Sequence, residues 1–230
     1  MRSDEVVVPR LRRLTEDEGE EVGEPVAMTH FLTGGSGGLG LLTGQWLAEN
    51  GAAEVVLASR SGKVSPEDKA RLASVGSCEA RVVSCDTVQC TDLRRTLTAV
   101  ASSCARPLNG VWHAAGVLAD GLLYSQTSQS LVRVYAPKAY GGWSIHQACA
   151  RSPLASCVMF SSIAAMLGGA GQANYAAANQ CLDALSTHRL ASGSAATSVQ
   201  WGPWADVGMA AGGAINSRLQ ATGIGLITMA

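Results

Sequence analysis

Tyr175 and Asn179 stand four residues apart in NYAAANQ (174–180), a spacing that puts both side chains on one face of a helix. A phenol titrates near ~10, so a tyrosine that handles protons at neutral pH needs a cation beside it. Asn179 carries no charge, so the cation must come from elsewhere. The chain has three lysines, at 63, 69 and 138. Lys63 and Lys69 lie among polar residues, whereas Lys138, in VRVYAPKAYGGWSIHQ, lies amid apolar and aromatic ones. Its helix would fall between a fourth and a fifth strand, beside the Tyr175 helix, which makes Lys138 the expected cation. Ser162, at the end of the apolar run LASCVMFSS, adds a hydroxyl, and Gly168, Gly169 and Gly171 let the intervening loop fold back.

These groups must be carried by strands and helices, and the chain reads as both. From Pro25 onward VAMTHFLT, AEVVLAS, EARVVSC, LNGVWHAA, LASCVMFSS and ATSVQWG are strand candidates, separated by segments long enough for helices. That alternation predicts an α/β fold, a Rossmann-like doubly wound parallel sheet with helices on both faces. Six strands are expected, with a seventh in the tail NSRLQATGIGLITMA. In open sheets of this kind ligands bind at the carboxyl ends of the strands.

The first strand runs into FLTGGSGGLGLLTGQWLAENGA, a glycine-rich turn ahead of a helix whose expected apolar face is Leu41, Leu42, Trp46 and Leu47. Glycines at such a turn let the backbone approach a pyrophosphate, whose charge the helix N-terminus stabilises. Thr33, Gly34, Gly35, Ser36, Gly37, Gly38, Leu39 and Gly40 are therefore expected to bind a dinucleotide. The second strand ends in Ser59, Arg60 and Ser61 instead of an acid. A guanidinium flanked by hydroxyls matches a 2′-phosphate, which favours NADPH over NADH. Asp86 and Thr87, ending the third strand, would meet the adenine. His113, Ala114, Ala115 and Gly116, ending the fourth, would pass the nicotinamide half, with no acid–base role for His113.

Composition narrows the class. With 230 residues, 47% hydrophobic, the chain suits one α/β core. Residues 1–24 hold eight acids against four arginines, leaving ten acids against thirteen Lys and Arg in the remainder. Leu14–Pro25 reads as an acidic linker, with EVVVPRL before it as a lone edge strand. The mild positive balance of 25–230 suits an anionic ligand or an acidic partner. Seven cysteines without a CxxC pair read as reduced core thiols. With no membrane-length apolar run and no signal-peptide pattern, the expectation is a soluble cytoplasmic protein that engages neither nucleic acid nor membrane.

TGGSGGLG, SRSG, HAAGVLAD, FSSIAAMLGGAGQANYAAANQCLDAL and WGPWADVGMA, in that order over 26–209, resemble the ketoreductase domain of modular polyketide synthases, a branch of the short-chain dehydrogenase/reductase family. That branch exchanges the lysine and asparagine positions of its relatives, as Lys138 and Asn179 do here. The resemblance implies NADPH-dependent reduction of a β-ketoacyl thioester. Tyr175 would protonate the carbonyl oxygen, Ser162 hydrogen-bond it, Lys138 bind the ribose and lower the Tyr175 pKa, and Asn179 hold the lysine or a relay water. Pro203 and Trp204, in a lid spanning Trp201 to Met209, would wall the nicotinamide. No metal is implied. VVVPRL resembles the end of a preceding structural subdomain, so 1–24 reads as its remnant plus linker and 25–230 as the catalytic domain, its last helix truncated.

Within the family, Leu118-Ala119-Asp120 matches the Leu-x-Asp triplet of B-type domains, which give the D-configured β-hydroxyl. Leu167 replaces the tryptophan that marks A-type domains, and Ala177 replaces the proline of an epimerising subtype. Asp120, Leu167 and Gln172 are the expected substrate contacts. The resemblance further implies an acyl carrier protein presenting the thioester on its phosphopantetheine arm, among neighbouring synthase domains. Two other readings are a stand-alone fatty-acid-type ketoacyl reductase, disfavoured by Asn179, and a non-catalytic NADP-binding module, disfavoured by the presence of Tyr175, Ser162 and the glycine turn.

Overall fold

The computed structural model describes residues 28–73, 78–103, 106–208, 223 and 225–228. The linker, the EVVVPRL strand, Cys104 and the lid end at Met209 lie outside these residues.

Six strands form one parallel sheet: β1 (Thr29–Thr33), β2 (Glu54–Ser59), β3 (Glu79–Ser84), β4 (Leu108–His113), β5 (Ser156–Ser162) and β6 (Thr197–Trp201), in the order β3-β2-β1-β4-β5-β6. All six expected strands are present, each shorter by one or two of the described residues. Of the expected seventh strand, the described residues contribute a single parallel bridge from Ile227 to Trp204.

Side chains alternate across the strands, and both faces are apolar because both are covered. Phe31, Val56 and Val111 point into one core with Leu93 and Leu97 of α3 (Cys90–Ser103), Ile145 of α5 (Gly141–Ala148) and Leu182 and Leu185 of α7 (Ala173–Ala191). Leu32, Val55 and Leu57 point the other way, against Leu47 of α1 (Gly38–Glu49) and Leu72 of α2 (Pro66–Ala73).

The buried face of α1 differs from the expected one. Gly40, Gly44, Leu47 and Ala48 face the sheet, while Trp46 is 50% exposed. The helix lies so close to β2 that a Cβ at Gly44 would meet Leu57 at 3.2 Å, so a tryptophan has no room there. Trp46 instead packs edge-on against Trp112.

Strand order reverses between β1 and β4, which opens a crevice at their carboxyl ends. Four segments converge there: the turn after β1, the loop after β4, a helical stretch from α4 (Ser128–Tyr135) through a π turn (Ala136–Tyr140) into α5, and the stretch from β5 through α6 (Ala164–Leu167) to α7.

Candidate active site

A cavity of about 1060 Å³ lies along the crevice, lined by Gly34, Ser36–Gly40, Ser59–Ser61, Asp86, Thr87 and Ala114–Gly116. The glycines are required by geometry. Gly34 has φ +69°, and a Cβ on it would stand 2.7 Å from the Ala115 nitrogen. Helix α1 starts at Gly38, after Gly37 as its N-cap, with no side-chain cap and no acid in its first turn. Its leading N–H groups therefore face the cavity without a side-chain acceptor, the setting in which a pyrophosphate is bound. Arg60 is exposed at the rim between Ser59 and Ser61, whose hydroxyls are 3.3 Å apart. These residues fit a dinucleotide carrying a 2′-phosphate.

Three residues expected to bind the cofactor stand behind the cavity instead. Thr33 is fully buried, with its Oγ1 2.6 Å from His113 Nδ1. His113 Nε2 lies 3.1 Å from the Lys138 carbonyl oxygen, and burial pushes its pKa down to about 4. The ring is thus a neutral brace between β1, β4 and the π turn. Gly35 is a packing glycine, since a Cβ there would lie 2.8 Å from Leu57 Cα.

A second cavity, of about 990 Å³, adjoins the first through Leu39, Ala114 and Gly208. It gathers Asp120 from the loop after β4, Lys138 from the π turn, and Ser162, Leu167, Gln172 and Tyr175 from the stretch between β5 and α7. Lys138 reaches the site from the π turn, a feature that often marks functional positions. Its Nζ donates to the Phe160 carbonyl at 2.9 Å and lies 5.4 Å from the centre of the Tyr175 ring. Burial pushes the Lys138 pKa down to about 8, and the Asp183 carboxylate pulls it back up. Asp183 is itself held on β6 by Ser198 and by Gln200, the latter at 2.8 Å.

The electrostatics of Tyr175 differ from the expectation. Burial pushes its phenol above the usual value, hydrogen bonding with Asn179 and Ser162 works in the opposite direction, and the charge of Asp120 pushes it further up. The Lys138 ammonium lies over the ring, 5.4 Å from its centre. Asn179, fully buried, donates from Nδ2 to the Tyr175 carbonyl at 2.8 Å instead of holding the lysine, and its Oδ1 has no partner. Pro203 and Trp204 line this second cavity and not the first.

Sequence reasoning missed Val132, Arg133, Ala136 and Pro137, which close the cofactor cavity from α4 and the π turn, whereas Trp201 and Val207, in the second cavity, belong to the expected lid segment. Ala136 and Pro137 immediately precede Lys138, and that adjacency was the available signal. The described residues gather no cluster of three or more His, Cys, Asp or Glu able to hold a metal ion, and no described helix is long and apolar enough to cross a membrane. Cys78, Cys85, Cys149 and Cys157 are buried free thiols, whereas Cys181 is exposed.

The KR domain family model matches residues 28–206, which include every residue of both constellations up to Trp204. The chain belongs to the KR domain family. Polyketide synthase GfsB of Streptomyces halstedii is 42% identical over 208 residues, 88% of this chain and 4% of that one. A mycocerosic acid synthase-like polyketide synthase of Mycobacterium tuberculosis is 38% identical over 214 residues, 91% of this chain and 10% of that one. The KR domain thus spans a small fraction of these relatives. A solved A1-type ketoreductase superposes with a TM-score of 0.86 at 34% identity, covering 95% of this chain and 46% of that one. The family is that of ketoreductase domains in modular polyketide synthases, and the fold is theirs.

Proposed function

We propose that this KR domain reduces a β-ketoacyl thioester to a β-hydroxyacyl thioester with NADPH. The observation that carries the reading is the convergence of Tyr175, Ser162 and Lys138 on one cavity that opens into the glycine-lined one. NADPH, when bound, supplies a hydride to the carbonyl carbon. Tyr175 donates its phenolic proton to the carbonyl oxygen, and Ser162 hydrogen-bonds that oxygen as charge builds on it. Lys138 holds the cofactor ribose and a positive charge beside the phenol, and Asn179 braces the helix turn that carries Tyr175. Gly34 and Ser36–Gly40 hold the pyrophosphate, Ser59, Arg60 and Ser61 the 2′-phosphate, Asp86 and Thr87 the adenine end, and Ala114–Gly116 the nicotinamide half. Pro203 and Trp204 shield the reacting atoms from water.

The product is the D-configured β-hydroxyl. Support comes from the Leu118-Ala119-Asp120 triplet and from Leu167, with Asp120 and Leu167 both lining the catalytic cavity. The substrate arrives on the phosphopantetheine arm of an acidic acyl carrier protein, within a cytoplasmic synthase whose neighbouring domains flank this one. The test is to incubate the chain with a β-ketoacyl thioester and either NADPH or NADH, then resolve the product on a chiral column. NADPH consumption with D product is expected. NADH preference or L product would overturn the corresponding part.

A further inference from the structure

The loop 117–122 carries Asp120 into the catalytic cavity yet has no regular structure of its own. Its backbone polar groups must be satisfied by neighbours, and the identity of those neighbours decides where Asp120 stands. Asn174, the residue before Tyr175, is 2% exposed. Its Nδ2 donates to the Ala119 carbonyl at 2.8 Å and to Gln126 Oε1 at 3.1 Å, while its Oδ1 accepts from the Tyr175 N–H at 2.7 Å. A carbonyl can only accept and an amide N–H can only donate, so these partners fix which way the carboxamide points. Gln126 completes the frame by donating from Nε2 to the Gly121 carbonyl at 2.8 Å and accepting from Ser130 Oγ of α4 at 2.7 Å. On the far side, the Gly121 N–H donates to the Gly171 carbonyl at 2.8 Å, and Gln172 Nε2 donates to Asp120 Oδ2 at 3.1 Å.

We infer that Asn174, with Gln126 as its bridge, is a positioning residue that clamps the 119–121 loop to the first turn of the Tyr175 helix and so fixes which face of the substrate carbonyl is presented. The clamp joins the segments bearing Asp120 and Tyr175 and touches α4, which leads into the Lys138 turn. Asp120 and Tyr175 are electrostatically coupled across it, since the Asp120 charge acts on the phenol. The inference rests on the proposed reduction for its product readout, but not for its structural one.

Asn174→Asp keeps the acceptor toward the Tyr175 N–H and turns the donor into an acceptor facing the Ala119 carbonyl and Gln126 Oε1. Gln126→Met breaks the bridge without touching α7. Each variant and the parent chain are compared by amide hydrogen exchange and by the ratio of the two β-hydroxyl configurations formed from a β-ketoacyl thioester. Loss of one or two buried hydrogen bonds should speed exchange of the 119–121 amides about tenfold and raise the minor product about tenfold, with β1, β4 and β5 amides unchanged. A merely structural role would lower the yield of folded protein without changing that ratio. Parental exchange at 119–121 and a parental product ratio in both variants would overturn the clamp. If Asn174→Asp loses sheet protection as a whole, Gln126→Met decides. If the parent chain reduces nothing, the proposed function fails, and loop exchange alone decides the clamp.

Discussion

Replacing Lys138 with methionine should abolish turnover without destabilising the fold at neutral pH. Burial lowers this lysine from its ordinary 10.5 to about 8. At pH 7 the ammonium is charged in both folded and unfolded chains, and that depression opposes folding by about 3 kcal/mol. Methionine removes this cost and fills a similar volume, but leaves the Phe160 carbonyl without its donor, a loss of about 1–2 kcal/mol. Lys138→Met should therefore exceed the parent at pH 7 by about 1–2 kcal/mol. The sign then reverses with pH. Above pH 8 the folded lysine loses its proton while the unfolded one keeps it up to 10.5. The unfolded state binds more protons in this window, so the parent gains stability as pH rises and the variant does not. By pH 10 the parent should have gained about 2–3 kcal/mol on the variant. Urea unfolding followed by tryptophan fluorescence at pH 7 and 10 measures the difference, and other titrating groups cancel in the comparison. A variant several kcal/mol less stable at pH 7, or a difference that does not change between the two pH values, would refute the reasoning.

Gly34→Ala forces a Cβ against the Ala114–Ala115 backbone at positive φ, so it should cost about 2–4 kcal/mol of stability and eliminate NADPH binding, as read by thermal shift with and without cofactor. Arg60→Ala should weaken NADPH binding about tenfold or more while leaving NADH binding nearly unchanged, by fluorescence titration. His113 is held near a pKa of about 4 by burial, against 6.5 when unfolded. Its contribution is complete above pH 6.5 and is lost as pH falls through 4, so His113→Asn should flatten the acid side of a stability–pH curve.

The strands, the glycine turn and Lys138 are legible in the sequence because each depends on local pattern. Apolar runs of strand length sit between helical segments, glycines occupy the first strand-to-helix turn, and one lysine of three lies in an apolar setting. What escapes is set by packing between distant segments. Nothing local shows that Gly44 brings α1 too close to β2 for Trp46 to be inside. Nor does it show that His113 faces Thr33 and the Lys138 carbonyl instead of the crevice, because that follows from the register of β1 on β4. The placement of the Lys138 ammonium over the Tyr175 ring, and of Asn179 against the Tyr175 carbonyl, depends on how the π turn meets α7. Asn174 adjoins the tyrosine in sequence, yet its role exists only through contacts with residues 119 and 126, some fifty positions away.

In the proposed reaction Tyr175 supplies the proton that completes carbonyl reduction. Tyr175→Phe removes one oxygen from the cavity and leaves the glycine-lined cofactor site unaltered. The direct measurement is NADPH oxidation with a β-ketoacyl thioester, alongside NADPH affinity, in the parent and in Tyr175→Phe. Parental affinity is expected, with turnover reduced by about 10²-fold or more. Turnover at the parental rate in the phenylalanine variant would contradict that role of Tyr175.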